Sequence, residues 1–175
     1  MFFTKAIFMS DKSLEFLNES INELKKYKRL AEKAFAQIQT DDEMHWQPGD
    51  ESNSIAILIK HLHGNMLSRW TDFLTTDGEK PTRGRDNEFV DRKETKDELM
   101  KLWEEGWQCM FITLESLNEN DFGKTITIRN EPHTIIQAIL RQIMHYSQHI
   151  GQIIYIAKMI RNEDWQTLSI PRKKA

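Results

Sequence analysis

The segment Arg141-Gln-Ile-Met-His-Tyr-Ser-Gln-His-Ile-Gly-Gln152 carries the residues best suited to chemistry. His145 and His149 are four apart, so on a helix they share one face, one turn apart. Two imidazoles at that spacing can share one metal ion. Helical stepping gives Ala138, Gln142, His145, His149, Gln152 and Ile156, a polar centre where a plain bundle seam would hold Leu or Ile. The bland alternative is a solvent-facing helix side. Against it, Ile135, Ile136, Ile139, Ile143, Met144, Ile150, Ile153, Ile154 and Ala157 surround the helix on most sides. The helix is therefore expected to be central and its His face covered.

A third ligand has to come from another helix, and Lys60-His-Leu-His63 offers two. Residues two apart point to different sides of a helix, so one ion is not expected to take both. Periodicity does not choose between His61 and His63. His45, beside Trp46 in a loop, and His133, just before a helix, are expected at the surface. Tyr146 follows His145, so the glutamate of a His-Glu-x-x-His protease is missing. Cys109, among Trp107, Met110 and Phe111, reads as a buried small hydrophobe rather than a nucleophile. Asp72, Asp77, Asp86 and Glu88 are candidate proton-transfer groups. Asn65 and Gln152 could orient ligands or a substrate. Arg69, Arg83 and Arg85 could form a cationic rim for carboxylate or phosphate, set against surface ion pairs with Asp72, Asp86 and Glu88.

Four long helical segments must position these residues. The first runs from about Asp11 to Gln39, with Leu17, Ile21, Leu24, Tyr27, Ala31, Ala34 and Ile38 as one buried stripe. Thr40 to Asn53 is polar, contains Pro48-Gly49 and reads as a loop. The second helix runs from about Ser54 to Leu74, with Ser52, Asn53 or Ser54 as its cap. A long charged loop broken by Asp77-Gly78, Pro81 and Gly84 reaches Lys93, and loops of that length are often functional. The third helix opens on the capping box Thr95-Lys-Asp-Glu98 and turns Leu99, Leu102, Gly106, Met110, Thr113 and Leu117 inward. Thr125-Ile-Thr-Ile128 alternates, and Asn130-Glu-Pro132 follows, which allows a small hairpin. The fourth helix begins at Thr134-Ile-Ile-Gln137, a second capping box, and continues to about Arg161. The expected fold is all-α, a four-helix bundle with one long loop.

A chain of 175 residues, 39% apolar and 29% charged, fits one domain with a real core. A net charge of -3 gives no support for nucleic-acid binding, which needs a concentrated basic face. The basic Pro-Arg-Lys-Lys-Ala end reads as a solvated tail. With Cys109 as the only cysteine no intrachain disulfide can form, which suits a reducing compartment. Lys5 interrupts an apolar start too short for a signal sequence, and no stretch is long enough to span a membrane. A cytoplasmic protein is expected.

The chain resembles the DinB/YfiT-like superfamily, and within it a family of bacterial proteins found in bacilli. The matching stretches are Ala31-Glu-Lys-Ala34, His45-Trp-Gln-Pro48, Glu51-Ser-Asn-Ser-Ile-Ala56, Lys60-His-Leu-His-Gly-Asn65 and Ser68-Arg-Trp70. Asp77-Gly-Glu-Lys-Pro81, Arg85-Asp86, Glu88-Phe89 and His145 to Gln152 continue the match. It covers nearly everything after about residue 14, leaving residues 1–13 as an N-terminal extension of a single domain over 1–175. The resemblance implies a four-helix bundle whose metal is held by one His of the second helix and a His-x-x-x-His pair of the fourth. Here those positions are His61, His145 and His149. The role of His63 stays open.

A three-His site would leave one divalent ion with an open position, the mark of catalytic zinc. Nickel or zinc is expected, with iron or manganese as alternatives, since imidazoles do not decide among them. The resemblance implies a metal-dependent enzyme, a thiol-dependent transferase or a hydrolase, acting on a small-molecule substrate that includes a low-molecular-weight thiol in the first case. The alternative is a non-catalytic metal-binding or interaction protein whose metal is structural. A homodimer is expected, with no nucleic-acid or membrane partner.

Overall fold

The computed structural model describes residues 2–171, with side chains from residue 12 onward. The last residues of the basic tail and the side chains of the apolar start lie outside the described residues. The described residues are mostly helical, with five α-helices and one two-stranded sheet.

Helix α1, Phe2–Phe35, buries Leu17, Ile21, Leu24, Ala31 and Ala34 as its stripe required. It starts earlier than the expected Asp11 and stops short of Gln39. There the backbone tightens, with Gln37 N–H bonded to the Ala34 carbonyl and Ile38 N–H to that of Phe35. The stretch expected to be all loop after Thr40 contains helix α2, Asp41–His45. The Thr40 side chain accepts the Glu43 N–H, and Asp41, Asp42 and Glu43 oppose the positive end of the helix dipole. This turn buries Met44 and His45.

Helix α3, Ile55–Trp70, is capped by Ser54, whose hydroxyl accepts the Ile57 N–H. It ends four residues before the expected Leu74, where Asp72 adopts a left-handed backbone with φ 50°. A 3-10 turn, Arg85–Phe89, interrupts the long loop. Helix α4, Lys96–Ser116, opens on the expected Thr95–Glu98 capping box. Its buried face differs from the expected one: Trp103, Trp107 and Leu114 are buried with Leu99, Gly106 and Met110, while Leu102 is only partly covered. Strands β1, Thr125–Ile128, and β2, Glu131–Thr134, pair antiparallel with Ile128 opposite Glu131. Arg129 and Asn130 both have positive φ, the geometry of a two-residue hairpin turn. Helix α5, Ile135–Arg161, follows at once from the Thr134–Gln137 capping box.

Helix α3 lies along α4 and α1 along α5, while α5 also meets α3 and α1 meets α4. Gly106 permits the close α3–α4 crossing: a Cβ there would stand 3.2 Å from His63 Cα and 3.1 Å from Met66 Sδ. Trp70, Trp103, Trp107 and Tyr146 fill the core between the helices. The expectation that α5 is covered on most sides is corrected. Its Ile136, Leu140, Met144, Tyr155 and Met159 are exposed, because only the Ile135, Ile139, Ile150 and Ile153 side faces the other helices. No helix among the described residues is long and apolar enough to cross a membrane.

Candidate metal centre

The three histidines come from two facing helices, His61 from α3 and His145 and His149 from α5. His61 Nε2 lies 3.2 Å from His145 Nε2, and His149 Nε2 lies 3.0 Å from the same atom. One ligand atom from each ring falls within 4.8 Å of the others, so the group could hold a metal ion. His61 is buried; the other two are half-buried and face a cleft of about 450 Å³. The His face of α5 is therefore open, not covered as expected.

What lies behind the rings decides which nitrogen carries the proton. His61 Nδ1 is 2.9 Å from Glu88 Oε2, and a carboxylate can only accept, so Nδ1 holds the hydrogen. His149 Nδ1 is 2.7 Å from Gln152 Oε1, which fixes the same tautomer, given the oxygen at that amide position. Both rings then turn an unprotonated Nε2 inward. A single hydrogen on His145 Nε2 can satisfy only one of these two lone pairs. Burial, followed by the neighbouring His149, His61, Arg69 and Arg83, pushes His145 down to about 3, and burial lowers His149 as well. His145 and His149 therefore resist protonation at neutral pH, and the three rings offer lone pairs to a cation.

Glu88 reaches His61 from the 3-10 turn because Gly64 leaves room. A Cβ on Gly64 would stand 2.8 Å from Glu88 Cδ. Arg83 holds the same carboxylate by two bonds, Nε to Oε1 at 2.7 Å and Nη2 to Oε2 at 2.8 Å. Burial would raise Glu88, but His61 and Arg83 keep it below the usual carboxylate range. Of the four acidic candidates only Glu88 meets a histidine of the trio. Asp77 instead accepts the N–H groups of Arg129 and Asn130 at the hairpin turn, Asp72 lines a different cleft, and Asp86 is exposed.

Gln152 bonds His149 through its side-chain oxygen. Asn65 is buried, lines the cleft and accepts the Tyr146 hydroxyl at 3.2 Å. The three rim arginines differ in how their charge is engaged. Arg69 is only 4% exposed and spends its guanidinium on the Gly78 carbonyl and on Glu79 at 3.0 Å. Arg83 is likewise tied to Glu79 and Glu88, so neither is a free surface charge. All three line the cleft, Arg85 the least encumbered, and so does Arg141, which sequence reasoning missed although it stands one turn before His145. His63 faces away. Its Nε2 is 3.0 Å from Glu105, and it lines a separate cleft of about 660 Å³ between α3, α4 and the loop. Cys109 is half-buried rather than buried, with its sulfur 3.7 Å from the Thr71 hydroxyl.

His45 is also corrected, being 7% exposed. Its Nε2 is 2.8 Å from the Glu94 carbonyl and its Nδ1 is 2.6 Å from Asp91 Oδ1. His45, Asp91 and Glu94 form a second group whose spacing could hold an ion. There, however, the Lys60 ammonium already sits 3.0 Å and 3.1 Å from the Glu94 oxygens. That cation fills the electrostatic need, and the group reads as a clasp between α2, α3 and the loop. His133 is half-buried and bonds the Glu131 carbonyl.

No curated protein matches the chain, and no solved structure matches it. One family model does, over residues 11–174. By that match the chain belongs to the family described as "Protein of unknown function (DUF1572)".

Proposed function

We propose that the protein is a metal-dependent enzyme of the DinB/YfiT type. Helices α1, α3, α4 and α5 are read as the four-helix bundle of that superfamily, in a single cytoplasmic domain. One divalent ion, nickel or zinc before iron or manganese, is assigned to His61, His145 and His149. The observation that carries the reading is the convergence of three Nε2 atoms, two of them left unprotonated by Glu88 and Gln152. Such an ion supplies Lewis acidity and an open position for a substrate atom. The chain's own residues hold the ligand rings. Glu88, clamped by Arg83, fixes the His61 ring, and Gln152 does the same for His149 with a neutral acceptor.

Among the described residues the cleft is lined by no cysteine, serine or lysine, so they bring no nucleophile of their own to the site. A low-molecular-weight thiol as co-substrate fits that gap, which favours transfer over hydrolysis. Titrating cysteine into cobalt-substituted protein should add a near-ultraviolet charge-transfer band that His145→Ala abolishes. A cobalt spectrum indifferent to thiols would remove the transferase and favour hydrolysis. The ligands join α3 to α5, which also suits a purely structural ion. An enzyme stays folded after chelation, whereas a structural site loses much of its thermal stability.

A further inference from the structure

Among the described residues, the cleft beside the three histidines is lined by Arg69, Arg83, Arg85, Arg129 and Arg141 and by no aspartate or glutamate. The chain as a whole carries a net charge of -3, so this concentration is local. Glu79 and Glu88 answer Arg69, Arg83 and Arg129. Arg85 and Arg141 have no carboxylate partner among the described residues. The Arg85 guanidinium lies 5.5 Å from the centre of the Phe89 ring, which steadies it without cancelling its charge. Arg141 is exposed on α5.

A second observation comes from the buried side. The Trp70 indole N–H donates to the Tyr146 hydroxyl at 2.9 Å, and an indole nitrogen can do nothing else. With that bond accepted, the Tyr146 hydroxyl donates its own hydrogen to Asn65 Oδ1 at 3.2 Å. That acceptor fixes the orientation of the amide. The Asn65 Nδ2 is left with two hydrogens and no partner among the described residues, in a side chain that is 5% exposed and lines the cleft. Asn65 follows His61 by four residues and Arg141 precedes His145 by four, so each donor stands about 6 Å along its helix from a histidine.

We propose that this end of the cleft is an anion subsite. Arg85 and Arg141 take a carboxylate or phosphate of the substrate, and the Asn65 amide donates to an oxygen closer to the histidines. The substrate is then a small anion whose charged group lies within a few bonds of the reacting atom. The proposal rests on the three-His reading for the reacting atom, while the donors themselves stand apart from it.

Calorimetric titration of inorganic phosphate and, separately, succinate into cobalt-loaded protein tests it. The two probes distinguish a phosphate from a carboxylate ligand. The better probe should bind on the order of tenfold more weakly to Arg85→Gln and to Arg141→Gln, the loss of about one charge-assisted hydrogen bond. Asn65→Asp keeps the acceptor for Tyr146, replaces the free donor with a like charge and should weaken binding at least as much. Cobalt stoichiometry should stay unchanged in all three. A wild-type protein that binds neither probe, or variants that bind as tightly as wild type, overturns the subsite. Anion binding that depends on these residues in a protein that takes up no cobalt would keep the subsite and remove the metal assignment.

Discussion

Gly64 and Glu88 meet where a single atom decides the geometry of a ligand. The missing Cβ on Gly64 lets the Glu88 carboxylate lie against α3 and accept from His61 Nδ1. Gly64→Ala would meet the far end of a flexible side chain, so the fold should survive while the carboxylate is displaced. Losing a ligand's outer partner typically lowers metal affinity 10–100-fold, roughly what Gly64→Ala should do with its helical circular dichroism unchanged. An affinity equal to wild type in a competition titration would show that Glu88 does not support the site. Sequence reasoning named Glu88 among four acids and could not choose. Contact with His61 depends on a chain reversal 27 residues long, and no local pattern encodes that.

Between α3 and α4 the long loop is held by ions rather than by apolar packing. Glu79 alone joins Arg69 of α3, Arg83 of the loop and Arg129 of the hairpin turn. Burial would raise its carboxyl, but bonds from Arg69 and Arg129 and the charge of Arg83 bring it to about 2. The ordinary value is 4.5, so between about 2 and 4.5 the unfolded chain binds the extra proton. The contribution of Glu79 is therefore complete above pH 4.5 and fades as pH falls toward 2. Glu79→Gln strands the buried Arg69 and should cost about 3 kcal/mol in denaturant unfolding at pH 7. The deficit should shrink when the same titration is run near pH 3. A pH-independent deficit would mean that Glu79 acts by packing alone.

At the scale of the molecule, what the sequence made legible was local. The two capping boxes, the apolar stripe of α1 and the alternating Thr-Ile-Thr-Ile run each involve neighbours within a few residues, and each forms as expected. The His-x-x-x-His pair is local in the same sense. His61 and His63 were not separable by periodicity, since both flank the buried side of α3, and the choice came from the resemblance. The burial of Arg69 and His45 escaped detection because long-range partners supply it: Glu79 and Gly78 for one, Glu94 and Asp91 for the other. The polar cleft was hidden for the same reason, as its five arginines come from α3, the loop, the hairpin and α5.

All of this converges on whether three particular imidazoles hold one ion, and metal content per chain measures that directly. Wild-type protein should carry about one divalent ion, the capacity of a single three-His set. His61→Ala and His149→Ala should each lose it while keeping their helical circular dichroism, and His63→Ala should retain it. Full occupancy in His149→Ala, or loss in His63→Ala with retention in His61→Ala, would contradict the assignment.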